Sequence, residues 1–402
     1  MLADISSKVI YVIGTTAVGK SKLAMDIAKH FNGEIVSADS MQIYKKASLM
    51  TAKPSIQDML EIPHHLVDFV PISEKQFTVC EYQNLALNAI QEIQKRGRLP
   101  VVVGGTMYYV ESLLYDRPFI KENYDLDSFE NDTTEELYRK LEEADPEHAK
   151  KLAPQDRRRI RNALNYIFSS GKLYSEKNTV SKIRFPESII IWLKCDKKIL
   201  EQRARARIES MIKEGGTQEI IEILNECATN DYTRGVLQSI GYKEFEPLLT
   251  EGENSLPKCI DNLLLATLQY SKKQLKWIKN RFQPYLNMNI IDTTSFSNWE
   301  EITQQGIEIV QSSQGIGNKE IILDKKESFW CEACNVKIFG SEKYEIHLQT
   351  RKHRNNTRKE TEDDEEIRVC DICNKSAKGL RQWEFHINSK KHKREVKKNH
   401  CE

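Results

Sequence analysis

KVIYVIGTTAVGKSKLAMDIAKHF, residues 8 to 31, decides the reading of the fold. Residues 9 to 13 are β-branched or aromatic and read as a strand, and residues 21 to 31 carry apolar side chains at helical spacing. Between them Gly14, Thr15, Thr16, Ala17, Val18, Gly19, Lys20 and Ser21 spell G-x-x-x-x-G-K-S. The chemistry asks for these residues. Backbone N–H groups wrap an anionic phosphate, glycines permit the tight path, Lys20 adds a point charge and the Ser21 hydroxyl can hold Mg²⁺. The strand, loop and helix stand in the required order, so a chance glycine-rich turn is the weaker reading. The motif alone names no substrate, because nucleoside triphosphates and other diphosphates present the same oxygens.

Working outward, two more strands end in polar residues, as in a parallel sheet whose ligand lies beyond the carboxyl ends of its strands. EIVSADSMQIY (34 to 44) delivers Asp39, Ser40, Met41 and Gln42, and LPVVVGGTMYY (99 to 109) delivers Gly104, Gly105 and Thr106. Spacing leaves Asp39 open between a site carboxylate, a helix N-cap and a Mg²⁺ ligand. Between the strands lie TAKP (51 to 54), which carries Lys53, and IPHHLVD (62 to 68), whose His64 and His65 are weak candidates on chemistry alone. The expected fold is α/β: a P-loop parallel sheet flanked by helices, with a helical insertion at about 117 to 184.

In the insertion, Arg157, Arg158, Arg159 and Arg161 open a helix, which fits either a solvated face or contact with a phosphate backbone. Further on, Arg203 and Arg207 are four apart on a helix and suit a diphosphate. Thr267, Tyr270, Gln274, Trp277 and Arg281 share another helix face, better explained by packing with a polar tip than by a nucleic-acid surface.

The 402 residues hold 60 Lys and Arg against 59 Asp and Glu, with 39% apolar residues. That excludes a disordered chain and a purely polybasic binder. No apolar run reaches membrane-spanning length, and the N-terminus enters a strand too soon for a secretory signal, so a soluble cytoplasmic protein is expected, with nuclear and mitochondrial pools open. The polar stretch QSSQGIGNKE (311 to 320) marks the end of the large domain, placed at 1 to 318 with a linker at 319 to 328.

Beyond it the sequence repeats with a period of 39 residues. Cys331, Cys334, His347 and His353 recur as Cys370, Cys373, His386 and His392. Each set offers two thiolates and two imidazoles, the ligands of a tetrahedral structural Zn²⁺, in two small ββα-like fingers at 329 to 356 and 368 to 395. An acidic linker, 357 to 367, separates them. The five-residue gap between histidines and the basic flanks RKHR and KKHKR resemble U1-type (matrin-like) fingers associated with RNA.

Taken in order, GTTAVGKS, DSMQIY, TAKP, IPHHLVD, VVVGGTMYY, DRRRIRNAL, ARIESM, LQSIGYKE and TLQYSKKQLKW resemble the tRNA dimethylallyltransferases, from about residue 8 to residue 282. Eukaryotic members are similar also in carrying a C-terminal zinc finger; the second finger here is an addition. The resemblance implies transfer of a dimethylallyl group from dimethylallyl diphosphate to N6 of adenosine 37 in the tRNA anticodon loop. It implies that Gly14, Thr16, Ala17, Val18, Gly19, Lys20, Ser21 and Arg207 hold the diphosphate, with Mg²⁺ at Ser21. Asp39 would accept the N6 proton or hold the amine in line, and Thr106 would complete a catalytic set with Lys20 and Arg207. Asp39, Ser40, Met41, Gln42, Lys53 and Thr106 would meet the target nucleotide, and Arg158, Arg159, Ile160, Arg161 and Asn162 the rest of a tRNA anticodon stem-loop. A monomer is expected.

This chain departs from many relatives at Thr15, Ser21 and Met107, and Leu268 replaces an Arg usual after Thr267, so a phosphate role of that Arg does not transfer. Two other functions stay on the page: a P-loop nucleotide kinase, and a non-catalytic zinc-finger RNA-binding adaptor. The DSMQ, GGT and SIGYKE set speaks against the first, and the presence of Lys20, Asp39 and Thr106 against the second.

Overall fold

The structure, a computed structural model, describes residues 8–74, 77–116, 129, 131–176, 180–227, 229, 231–295, 298–318, 320–322, 328–357, 366–373 and 375–399. The chain divides into two compact units, Met1–Asn123 with Asn178–Leu323 and Tyr124–Lys177 with Asp324–Glu402.

The first unit is built on a six-stranded parallel sheet. Its strands are β1 (Ile10–Gly14), β2 (Gly33–Ser37), β3 (His64–His65), β4 (Leu99–Val103), β7 (Ile189–Lys194) and β8 (Asn289–Asp292), in the order β3-β2-β4-β1-β7-β8. Every residue of β1 is buried, as a parallel strand covered on both faces requires. Period-two alternation sorts its side chains. Ile10 and Val12 pack on α1 (Lys20–His30) and α12 (Trp299–Ser312), while Tyr11 and Ile13 pack on α3 (Val79–Lys95) and α4 (Met107–Leu114). Ahead of α3 lies the short α2 (Ile56–Glu61). A third apolar cluster joins residues 43 to 50 to α8 (Lys197–Lys213), α9 (Gly216–Cys227), α10 (Glu246–Glu251) and α11 (Leu256–Trp277). It stands on the side of the sheet where the strands end.

Two boundaries differ from the sequence reading. β5 (Tyr115–Asp116) pairs antiparallel with β6 (Val180–Ile183), and β6 pairs with β9 (Glu320–Ile322). Residues 180 to 184 therefore belong to the first unit rather than to the insertion. The expected linker also begins later, because Ile316 and Ile321 are buried and anchor the polar stretch around them, with the Ile316 N–H bonded to Ser188 O at 2.9 Å. Of the expected linkers, residues 319, 323–327 and 358–365 lie outside the described residues.

In the second unit, α5 (Thr134–Ala144), α6 (Pro146–Ala149) and α7 (Arg157–Ser170) enclose a small core of Leu137, Leu141, Leu152, Ile160 and Leu164. Each finger is a hairpin followed by helix. The first has β10 (Ser328–Cys331), β11 (Val336–Phe339), α13 (Ser341–Leu348) and α14 (Arg351–Thr357); the second has β12 (Ile367–Cys370), β13 (Lys375–Lys378), α15 (Gly379–Ile387) and α16 (Lys390–Asn399). The break in the helix has a reason. Histidines six residues apart on one straight helix would point about 120° apart, at ~100° per residue, so both reach one centre only if the helix is interrupted.

Candidate active site and metal centres

A cleft of about 1150 Å³ opens at the carboxyl ends of β1, β2 and β4, walled by α8 and α11. The loop from Gly14 to Ser21 forms its floor. Gly14 has φ 154°, and a Cβ there would lie 2.8 Å from Leu193 O and 2.9 Å from Val18 Cγ1, so the chain leaves β1 by a path that only glycine follows. Lys20 donates from Nζ to Thr15 O at 2.7 Å. Burial pulls its pKa down to about 8, with Asp39 opposing the fall and Arg207 adding to it. Arg207 reaches the open part of the cleft from α8 with an exposed side chain, yet crowding by the walls still lowers its pKa, against the pull of Asp39. Two cations thus face one carboxylate across the cleft.

The carboxylate comes from the turn after β2. Asp39 Oδ1 accepts the Met41 N–H at 3.0 Å, which holds the side chain toward the cleft. The turn after β4 lies against it so closely that a Cβ on Gly104 would stand 2.1 Å from Ala38 O. Thr106, at the start of α4, accepts the Ser40 N–H at 2.9 Å and donates from Oγ1 to Ser40 Oγ at 3.1 Å. Its hydroxyl therefore braces Ser40.

Gln42 lines the cleft but is engaged inside the protein. Oε1 accepts from Ser37 Oγ at 3.0 Å, and Nε2 donates to Ala52 O at 2.9 Å, holding the loop that carries Lys53. Lys53 in turn pairs with Asp68 at 2.5 Å. Glu219 of α9 fastens the same loop by accepting the N–H groups of Ser48, Leu49 and Met50 at 2.8, 2.8 and 2.9 Å. No motif or spacing marks Glu219, because its partners lie some 170 residues away.

Several expectations need correction. Arg203 lines the cleft with Arg207, but its guanidinium is engaged within the protein, donating to Thr293 O at 2.6 Å and Thr294 O at 3.1 Å. Thr293, wholly buried, bonds Val18 O at 3.0 Å, so this chain of contacts supports the phosphate loop from beneath. The Thr16 N–H is occupied by Gln274 Oε1 at 2.8 Å and is not one of the loop's open donors. Val18 buries its side chain completely. His65 contacts the buried Glu34 at 2.7 Å, alongside Arg96 and Arg98, and is part of the sheet's ionic support; His64 lines the cleft, its pKa lowered by burial. Trp277 and Arg281 bind the buried Glu111, as a packing face does.

In the second unit, Arg158, Arg159 and Asn162 are exposed on α7 and Arg161 is half-buried. Ile160 is wholly buried in the core there, so its side chain offers no contact surface. Arg157 is tied to Asp132 O at 2.5 Å and Phe129 O at 3.1 Å.

The finger ligands converge. Within Cys331, Cys334, His347 and His353, and within Cys370, Cys373, His386 and His392, the ligand atoms lie no more than 4.8 Å apart. His347 Nε2 and His386 Nε2 are buried with no hydrogen-bond partner. His353 turns Nδ1 to Cys331 Sγ at 3.2 Å and Cys334 Sγ at 3.6 Å, and His392 turns Nδ1 to Cys370 at 3.5 Å and Cys373 at 3.4 Å. In each set an orphaned imidazole nitrogen, a second imidazole nitrogen lying against the sulfurs and two thiols gather within 4.8 Å, which fits tetrahedral Zn²⁺.

The IPP transferase family model matches residues 42–281, more than half the chain. The chain belongs to the IPP transferase family. Two further models match its fingers: a zinc finger of C2H2 type at 329–353 and a zinc-finger double-stranded RNA-binding family at 368–393. The tRNA dimethylallyltransferase of Saccharomyces cerevisiae is 33% identical, aligned over 89% of this chain and 94% of its own length. That of Homo sapiens is 30% identical over 87% and 86%, and that of Thermoanaerobacter sp. (strain X514) 38% identical over 73% and 95%. A solved eukaryotic dimethylallyltransferase acting on tRNA superposes with a TM-score of 0.71 at 31% identity, covering 98% of this chain and 97% of that one. This IPP transferase is an enzyme carrying two Cys2His2 zinc sites, and among its described residues no helix is long and apolar enough to cross a membrane.

Proposed function

We propose that the cleft joins C1 of dimethylallyl diphosphate to N6 of adenosine 37 in a tRNA anticodon loop. The observation that carries this reading is the meeting, in one cleft, of a phosphate loop flanked by Lys20 and Arg207 with a carboxylate, Asp39, from the neighbouring turn. An adenine amino group is a poor nucleophile, since its lone pair is delocalised into the ring, so both partners need help. Backbone N–H groups of the loop, Lys20 and Arg207 stabilise the charge that gathers on the leaving diphosphate. Asp39 holds the amine in line and takes its proton. As the N6–C1 bond forms, the C1–O bond breaks and its electron pair leaves with the diphosphate; the proton lost from N6 passes to Asp39.

Ser21, an exposed hard-oxygen donor at the first turn of α1, suits Mg²⁺, which when bound neutralises diphosphate charge. The target base must leave the anticodon stack, at a cost of a few kcal/mol. Phosphate contacts from Arg158, Arg159 and Arg161 offset that cost. The likeness of the second finger to double-stranded RNA-binding fingers supports a contact with the anticodon stem. The enzyme acts in the cytoplasm as a monomer. Incubating the purified chain with dimethylallyl diphosphate and an anticodon stem-loop, then digesting the RNA, tests the reading: isopentenyladenosine at position 37 is expected, and its absence with the unmodified base intact contradicts it.

A further inference from the structure

Gln274 lies on α11 and is only 3% exposed, yet both ends of its amide are used by the two halves of the site. Oε1 accepts the Thr16 N–H of the phosphate loop at 2.8 Å, and Nε2 donates to Gly105 O of the Gly-Gly-Thr turn at 2.9 Å. Tyr270, one turn earlier, donates to the same Gly105 O at 3.3 Å. Gly105 is the residue before Thr106, which braces Ser40 beside Asp39. The space around it is tight: the Cβ position of Gly105 lies 2.5 Å from Gln274 Nε2 and 3.8 Å from Asp39 Oδ2. A single planar amide, 258 residues away in sequence from the loop it caps, thus spans the gap between the diphosphate cradle and the Gly-Gly-Thr turn, whose Thr106 braces the segment that carries Asp39.

We propose that Gln274 is a positioning residue that sets the distance between the two reacting partners. The inference rests on the transfer reaction proposed above. An amide is suited to this because it accepts on one side and donates on the other with fixed geometry; a carboxylate accepts on both sides, and an apolar chain does neither. In-line displacement is sensitive to such placement, since a misplacement of about 1 Å costs on the order of a hundredfold in rate.

The test uses the full chain with Gln274→Met, which keeps bulk and removes both bonds, and Gln274→Glu, which keeps the acceptor for Thr16 and loses the donor to Gly105. Single-turnover and steady-state transfer to an anticodon stem-loop are measured with inorganic diphosphate affinity and thermal melting. The expected result for Gln274→Met is a rate of transfer lower by about ten- to a hundredfold, with diphosphate affinity changed less than about threefold. Gln274→Glu should recover relative to wild type at the same pH as the pH is lowered, because the protonated carboxyl regains the donor. A purely structural residue gives no such recovery. The proposal is overturned if diphosphate affinity falls as far as the rate, if melting falls while the rate per folded molecule is unchanged, or if Gln274→Glu shows no pH-dependent recovery. A wild-type chain that transfers nothing overturns the reaction itself, and the inference with it.

Discussion

Thr106 Oγ1 stands 2.9 Å from the backbone nitrogen of Ser40, joining two turns that lie 66 residues apart in sequence. Through this bond the Gly-Gly-Thr turn fixes the segment that begins with Asp39. Replacing Thr106 with Val keeps the shape and leaves the half-buried Ser40 N–H without its partner, a loss of about 0.5–1.5 kcal/mol. Transfer is expected to fall by roughly tenfold or more in Thr106→Val and to stay near wild type in Thr106→Ser, measured as kcat on an anticodon stem-loop. Equal activity in the two variants would show that the hydroxyl is not needed.

Lys20 gives a pH signature. Its pKa of about 8 in the free cleft means that the ammonium needed for the diphosphate is lost as pH rises through 8. Affinity for dimethylallyl diphosphate should therefore weaken above pH 8, approaching about tenfold per pH unit, while Lys20→Arg, always charged, loses that dependence. Folding runs the other way. The unfolded chain holds this proton up to lysine's ordinary range, so between about pH 8 and that range the unfolded state binds more protons and native stability rises with pH. Diphosphate titrations and denaturant melts over pH 7 to about 10 check both signs.

The two fingers share a local device. Thr350 Oγ1 accepts the His353 N–H and Ser389 Oγ accepts the His392 N–H, each at 3.2 Å, and each starts the second half of the interrupted helix. Removing such a cap costs about 1 kcal/mol. Thr350→Ala and Ser389→Ala should each weaken zinc retention by roughly fivefold in competition with a chelator, because folding and metal binding are coupled in modules this small. Unchanged retention would mean that the cap does not place the second histidine.

On α7, neighbours in sequence should behave differently. Arg158→Ala and Arg159→Ala are expected to weaken tRNA binding and lower its salt slope by about 1 each. Ile160→Ala should instead destabilise the insertion, by roughly 2–5 kcal/mol, as a cavity in its core. A reduced salt slope in Ile160→Ala with unchanged melting would reverse this assignment.

What was legible in the sequence was what local chemistry forces. A buried parallel strand running into a glycine-bearing loop and a helix can be read from residues 8 to 31, because the backbone path requires those residues in that order. The finger ligands repeat at a fixed period for the same reason. The support of the site was not legible, since it is made by partners distant in sequence. Arg203 shares a helix face with Arg207, yet the carbonyls that occupy it arrive about 90 residues later. Gln274 was visible on its helix face with Tyr270, but which backbone groups it would join is decided only when α11 meets the ends of the strands. Glu219 carries no local sign at all. The insertion boundary shifted because β6 is too short to announce itself until β5 and β9 are brought beside it.

The most direct measurement follows label from radiolabelled dimethylallyl diphosphate into an anticodon stem-loop with A36, A37 and A38, with Mg²⁺, comparing the full chain with Asp39→Asn. The expected result is stable label in RNA with wild type and hardly any with Asp39→Asn, which preserves the turn but cannot take the N6 proton. Label transfer that is unaffected by the substitution, or no transfer together with hydrolysis of ATP, would contradict the account.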